Sequence, residues 1–177
     1  IPADQALHVY ERLLAAGDEY GLVHAGLRAL GSLRLEKAYR DYGHDIDNTD
    51  NPYSTGLGFA VNIDKPGDFI GKQACIRRKA EKTYHQRLVQ ILLDDPEPQL
   101  FHGEVVLRDG KPVGDVRAGA YGFTLGGAVG LAMVTGDSVD AGYISSGRWE
   151  VDIAGTRYPA RLSLRPMYDP TMSRVRA

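Results

Sequence analysis

Apolar and polar positions change rhythm along this chain near residue 84. Beyond it they alternate with period two, as in strands whose successive side chains point to opposite faces. Leu88, Gln90 and Leu92 alternate with Val89, Ile91 and Leu93, which predicts an apolar strand. Glu104–Arg108, Asp109-Gly110 and Lys111–Arg117 predict a hairpin. Asp-Gly suits a type I′ turn because both central residues take positive φ. Trp149–Ile153, a turn through Ala154-Gly155-Thr156, and Tyr158–Leu164 predict a second hairpin. Short strands punctuated by glycine argue for a barrel or sandwich. Asp94-Asp95-Pro96-Glu97-Pro98 reads as a surface loop, and no internal repeat or low-complexity tract interrupts the pattern.

Residues 1–83 have a helical texture instead. Asp4 is placed to cap a helix with Leu7, Tyr10 and Leu14 on one face, ended by Gly17. A second helix is expected over roughly Leu27–Tyr39. Its apolar residues Leu27, Leu30, Leu33, Leu35 and Ala38 spread around the axis, which predicts a largely buried helix. Gly56–Val61 reads as a strand, and a basic helix follows from Lys72 to about Lys82. The fold class expected is α+β: a partial mixed domain over 1–83, then an antiparallel β-barrel or jelly-roll-like domain over 84–177.

The chain has 177 residues, 43% hydrophobic and 25% charged, which suits one large or two small globular domains. A formal net charge of −2 gives no general attraction to nucleic acid. No apolar run approaches the roughly 20 residues of a membrane span. The lone Cys75 excludes an intrachain disulfide. These features predict a soluble cytoplasmic or matrix-like protein without nucleic-acid or membrane partners.

Candidate chemistry is sparse. Glu36 lies in the second helix beside Leu33 and Leu35, where a carboxylate needs a partner. An ion pair with Arg34, Lys37 or Arg40 would supply one, and so would a bound ligand. Lys65 precedes a Pro66-Gly67 turn, where a solvated lysine is the plain reading. Tyr168 stands in Pro166-Met167-Tyr168-Asp169-Pro170, whose prolines favour an extended path. Its ring either packs the tail or meets a ligand. His8, His24, His44, His85 and His102 have no metal-ligand spacing, so no metal is expected. Cys75 reads as a small core residue. The glycines between Gly119 and Gly130 match neither a dinucleotide fingerprint nor a P-loop, and are assigned to turns and close strand packing. Lys72, Arg77, Arg78, Lys79 and Lys82 read as a solvated helix face.

The stretch Gly31-Ser32-Leu33-Arg34-Leu35-Glu36, Asp41-Tyr42-Gly43-His44-Asp45-Ile46, Asn51-Pro52, Leu57, Lys65 and Asp68-Phe69-Ile70-Gly71 resembles the signature of the aminomethyltransferase (glycine-cleavage T-protein) family. The resemblance implies a folate-binding domain. It implies that Glu36 contacts the pterin part of tetrahydrofolate, where a carboxylate can accept adjacent N–H donors. Lys65 stands where the family commonly has a folate-contacting arginine. Lysine keeps the charge but lacks the planar fork. Tyr168 falls in the C-terminal segment that approaches folate in this family.

The second half narrows the resemblance. Phe101-His102-Gly103-Glu104, Arg108-Asp109-Gly110, Val113-Gly114, Tyr121-Gly122-Phe123-Thr124, Gly130-Leu131-Ala132, Tyr168-Asp169-Pro170 and Arg174-Val175-Arg176 are similar to the C-terminal region of sarcosine and dimethylglycine dehydrogenases. Such enzymes are bipartite. A flavin domain oxidises an N-methyl amine, and a folate domain captures the one-carbon unit as methylenetetrahydrofolate. The signature falls late in the family order and the chain opens on Ile1, so a fragment is expected, with the FAD module and the family's catalytic aspartate upstream. A stand-alone aminomethyltransferase and a non-catalytic docking barrel are the competing readings. The implied partners are folate, a one-carbon unit from an N-methyl amine, and the flavin domain of the same parent chain.

Overall fold

The apolar strand β1, Gln86–Leu93, organises the barrel because both of its faces are covered. Val89, Ile91 and Leu93 belong to one core cluster, with Val106, Val116, Val134 and Val151. Leu88 and Leu92 belong to a second, with Leu35, Ala38, Ile46 and Leu131. A strand buried on both faces reads as a continuous apolar run, as this one does. The remaining strands are β2 (Val105–Arg108), β3 (Lys111–Gly122), β4 (Gly127–Thr135), β5 (Trp149–Ile153) and β6 (Thr156–Ser163). They close in the order β1-β4-β3-β2-β5-β6, antiparallel at every pair. Closure leaves no open sheet edge.

The computed structural model describes residues 1–81, 83–174 and 176. Lys82 of the basic helix and Val175 of the terminal motif lie outside the described residues. Both expected hairpins form. Asp109 and Gly110 take φ of 52° and 79°, and Ala154 and Gly155 take 51° and 86°, as a type I′ turn requires. β4 was not separately expected: its glycines blur the alternation, and all its residues but the last are buried. A short helix, Ala141–Ser146, was also not foreseen. It is capped by Asp140, whose Oδ1 accepts from the Tyr143 N–H at 2.8 Å.

The chain divides into two compact units, Ile1–Leu30 and Gly31–Ala177. In the first, helix α1 spans Ala6–Gly17 and buries no residue. Asp4 does not cap it. A 3-10 turn over Ala3–Gln5 takes up Asp4 and moves the cap position to Gln5, which makes no side-chain cap bond.

Helix α2 spans Leu27–Glu36, shorter than expected, because Ala38 adopts a left-handed φ of 53° that ends helical geometry. It is not largely buried either. Leu27, Leu30 and Leu33 are exposed, while Ser32, Leu35 and Glu36 are covered. Leu35 packs with Leu88, Leu92 and Leu131, so cover exists on one side only.

Gly56–Val61 is not a strand. It holds a 3-10 turn at Gly58–Ala60, preceded by Gly56 at a φ of 76°. The closed barrel offers it no edge to pair with. Helix α3, Lys72–Ala80, follows as expected but buries no residue, so Cys75 is half-buried rather than a core residue. Arg77, Arg78 and Lys79 face solvent, and Arg78 pairs with Glu81 at 3.0 Å. No helix among the described residues is long and apolar enough to cross a membrane.

Candidate functional site

Glu36 ends α2 and is 2% exposed. None of its three neighbouring cations pairs with it. Arg34 forks onto Asp45, Lys37 binds Asp169, and Arg40 donates to the carbonyls of Ala38 and Thr55. Instead Oε1 accepts the backbone N–H groups of Thr124 at 2.7 Å and Leu125 at 2.9 Å, in the loop joining β3 to β4. Two N–H donors on one oxygen hold a buried carboxylate without a counter-charge. Among the described residues Oε2 makes no hydrogen bond. The approach is close enough to require glycine at 122. A Cβ there would lie 3.1 Å from Glu36 Oε1 and 2.9 Å from Val129 Cγ1.

The C-terminal segment reaches the same end of α2. Gln90, 2% exposed on the outward face of β1, donates Nε2 to the carbonyls of Leu35 at 2.7 Å and Glu36 at 3.0 Å. Its Oε1 accepts the Met167 N–H at 2.6 Å. Lys37 Nζ donates to the Asp169 carbonyl at 2.8 Å and Oδ2 at 3.3 Å, and lies 5.8 Å from the centroid of the Tyr168 ring. Asp169 also accepts from the Ser173 N–H and hydroxyl and the Arg174 N–H. Burial pushes the Asp169 carboxyl up, but hydrogen bonds from Ser173, Lys37 and Arg174 together outweigh it and hold its pKa below the ordinary 3.8. Glu36 and Tyr168 are thus carried by segments tied to one another.

Lys65 is not brought to them. It is exposed, sits 4.9 Å over the Phe69 ring, and borders a hollow with Ala60, Val61 and Asn62. The loop after α2 has its own organiser in Asp45, which is fully buried. Asp45 accepts from Arg34 at 3.1 Å, from the Asp41 N–H at 2.9 Å, and contacts His44 Nδ1 at 2.9 Å.

Sequence reasoning missed Gln90, Asp45 and the Lys37–Asp169 pair. Gln90 left a signal: it is the only amide in the run Leu88–Leu93 and shares a face with Leu88 and Leu92. The Lys37–Asp169 pair joins residues 132 apart in the chain, a relation no local pattern carries.

What the arrangement offers chemically is a fixed carboxylate with one oxygen anchored by backbone, on a helix end tied through Gln90 to the tail that carries the Tyr168 ring. That geometry suits a planar ligand with an N–H donor edge.

Comparison with known proteins bears on this geometry. Residues 1–65 match the model described as "GCVT N-terminal domain", and residues 86–169 match "Glycine cleavage T-protein C-terminal barrel domain". The chain is 45% identical over 174 residues to 4-methylaminobutanoate oxidase (formaldehyde-forming) of Paenarthrobacter nicotinovorans, covering 98% of this chain and 20% of that protein. It is 32% identical to human mitochondrial sarcosine dehydrogenase, covering 99% and 19%. Its fold superposes on the glycine cleavage system aminomethyltransferase T of Bartonella henselae with a TM-score of 0.78 at 23% identity, covering 96% and 45%. The chain spans about a fifth of the length of the first two relatives.

Proposed function

The chain belongs to the glycine cleavage T-protein family, and we infer from that premise that it is the tetrahydrofolate-binding region of a flavin-dependent N-methyl amine oxidoreductase. The observation that carries the reading is the Glu36 carboxylate, anchored through Oε1 by two backbone N–H groups. Its position in the helix matches the family's pterin-contacting glutamate. The 4-methylaminobutanoate oxidase and sarcosine dehydrogenase relatives are both named for N-methyl amine substrates, which supports the oxidoreductase branch.

In this reading tetrahydrofolate, when bound, accepts the one-carbon unit released by amine oxidation in the FAD-bearing remainder of the parent. The residues of this chain bind and orient. Glu36 accepts from the N–H edge of the pterin, with Oε2 the oxygen left for it. Because Oε1 already serves two N–H groups, Glu36 fixes the ring through a charged, preoriented acceptor rather than a mobile one. Tyr168 supplies a ring face on the tail held by Gln90 and Lys37. Lys65, exposed and cationic, is assigned to the anionic outer end of the ligand. Holding the acceptor in place raises its effective concentration at the reactive carbon.

The test uses the full-length protein turning over an N-methyl amino acid. Saturating tetrahydrofolate is expected to lower free formaldehyde and yield methylenetetrahydrofolate in its place. An unchanged formaldehyde yield at saturating folate would overturn the reading. It would leave an oxidase that releases formaldehyde, as the name of the Paenarthrobacter relative describes.

A further inference from the structure

A cavity of about 670 Å³ lies below the end of α2 and is lined by none of Glu36, Lys65 and Tyr168. Four cations reach its wall: Lys37, Arg40, Arg87 and Arg165. Among the described residues no aspartate or glutamate lines it. Two of the four already have partners, Lys37 on Asp169 and Arg40 on two backbone carbonyls. Among the described residues Arg87 and Arg165 make no ion pair. Arg87 stacks 4.9 Å from the Tyr84 ring, and its Nε is buried with no hydrogen-bond partner. Burial lowers the Arg40 pKa. Asp45 raises it, and the nearby Arg87 charge lowers it again. Guanidinium groups lining one half-open cavity, with the buried Arg87 Nε unpaired among them, leave an excess of positive charge that an anion would relieve.

The rest of the wall sets the shape of that anion. Ile46, Leu57 and Leu88 give an apolar floor. Tyr42 and Phe59 border the mouth with exposed rings, Phe59 at 87%. The volume is that of an ordinary small-molecule site. We propose that this pocket is a second ligand site, for an aromatic carboxylate whose anionic end meets Arg87 and Arg165 and whose ring packs between Tyr42 and Phe59.

The site does not depend on the role assigned to Glu36, and its test is independent of it. Benzoate is the probe, titrated calorimetrically at low ionic strength into the full-length protein. Saturable binding is expected, weakened at least tenfold in Arg87→Met, partly kept in Arg87→Lys, and reduced by salt. Glu36→Gln should leave benzoate binding unchanged. Arg165→Met provides a second loss-of-charge variant on an exposed residue should Arg87→Met fold poorly, and melting temperatures separate the two causes. The same titration with tetrahydrofolate present decides whether the site is a second one. Undiminished benzoate binding is expected, and displacement of benzoate would overturn the proposal, because the pocket would then hold the benzoyl-glutamate end of folate. No saturable binding of benzoate, or equal affinity in wild type, Arg87→Met and Arg165→Met, would overturn the proposal.

Discussion

Replacing Gln90 by leucine should loosen both the end of α2 and the C-terminal tail at once. The substitution is close to isosteric and falls on a face already formed by Leu88 and Leu92, so packing is kept and hydrogen bonding is lost. Three bonds disappear, to the carbonyls of Leu35 and Glu36 and from the Met167 N–H. At about 0.5–1.5 kcal/mol each, and toward the upper end because the groups left behind are covered, the loss is about 4 kcal/mol. The added apolar contact of leucine returns about 1–1.5 kcal/mol. A net cost of about 2–3 kcal/mol remains, concentrated where Gln90 joins the two segments. Hydrogen exchange read by mass spectrometry on tail peptides that include Met167 gives the local value. Opening that becomes cheaper by this amount speeds exchange roughly 30- to 150-fold. Exchange unchanged in the tail would refute the view that Gln90 ties it to α2.

Two further outcomes follow from the same network. Arg34→Ala should cost about 3–5 kcal/mol in stability, because it strands the fully buried Asp45 carboxylate; a melting temperature within a degree or two of wild type would contradict this. Asp169 has a folded-state pKa below its ordinary value, so its contribution to stability is complete above about pH 4 and is lost as pH falls through the folded value. Melting temperature followed from pH 6 to pH 3 should therefore fall less in Asp169→Asn than in wild type, and parallel curves would argue against a stabilising role for the Asp169 hydrogen bonds to Lys37 and Ser173.

The barrel was legible in the sequence where local chemistry decides structure. Asp109-Gly110 and Ala154-Gly155 announce their turns, and alternation marks β1. It was less legible where tertiary cover decides. α2 reads as buried on all sides because Leu27, Leu30 and Leu33 are apolar, yet within the barrel unit Leu33 is exposed while Leu35 and Glu36 are covered. Gly56–Val61 has strand-forming residues but no edge to join. At the candidate site, the choice between an ion pair and another role for Glu36 could not be read from spacing. Each nearby cation is drawn off by a group distant in the chain or by backbone carbonyls: Arg34 by Asp45, Lys37 by Asp169, Arg40 by Ala38 and Thr55.

The central claim is that Glu36 holds the pterin of tetrahydrofolate. Its most direct test is calorimetric titration of tetrahydrofolate into full-length Glu36→Ala, with amine oxidation at the flavin measured alongside. Loss of a charge-assisted contact of about 1.5–3 kcal/mol should weaken folate roughly 10- to 200-fold while amine oxidation stays near wild type. Wild-type folate affinity with a lowered melting temperature would contradict the account, and would make Glu36 only the anchor of the β3–β4 loop.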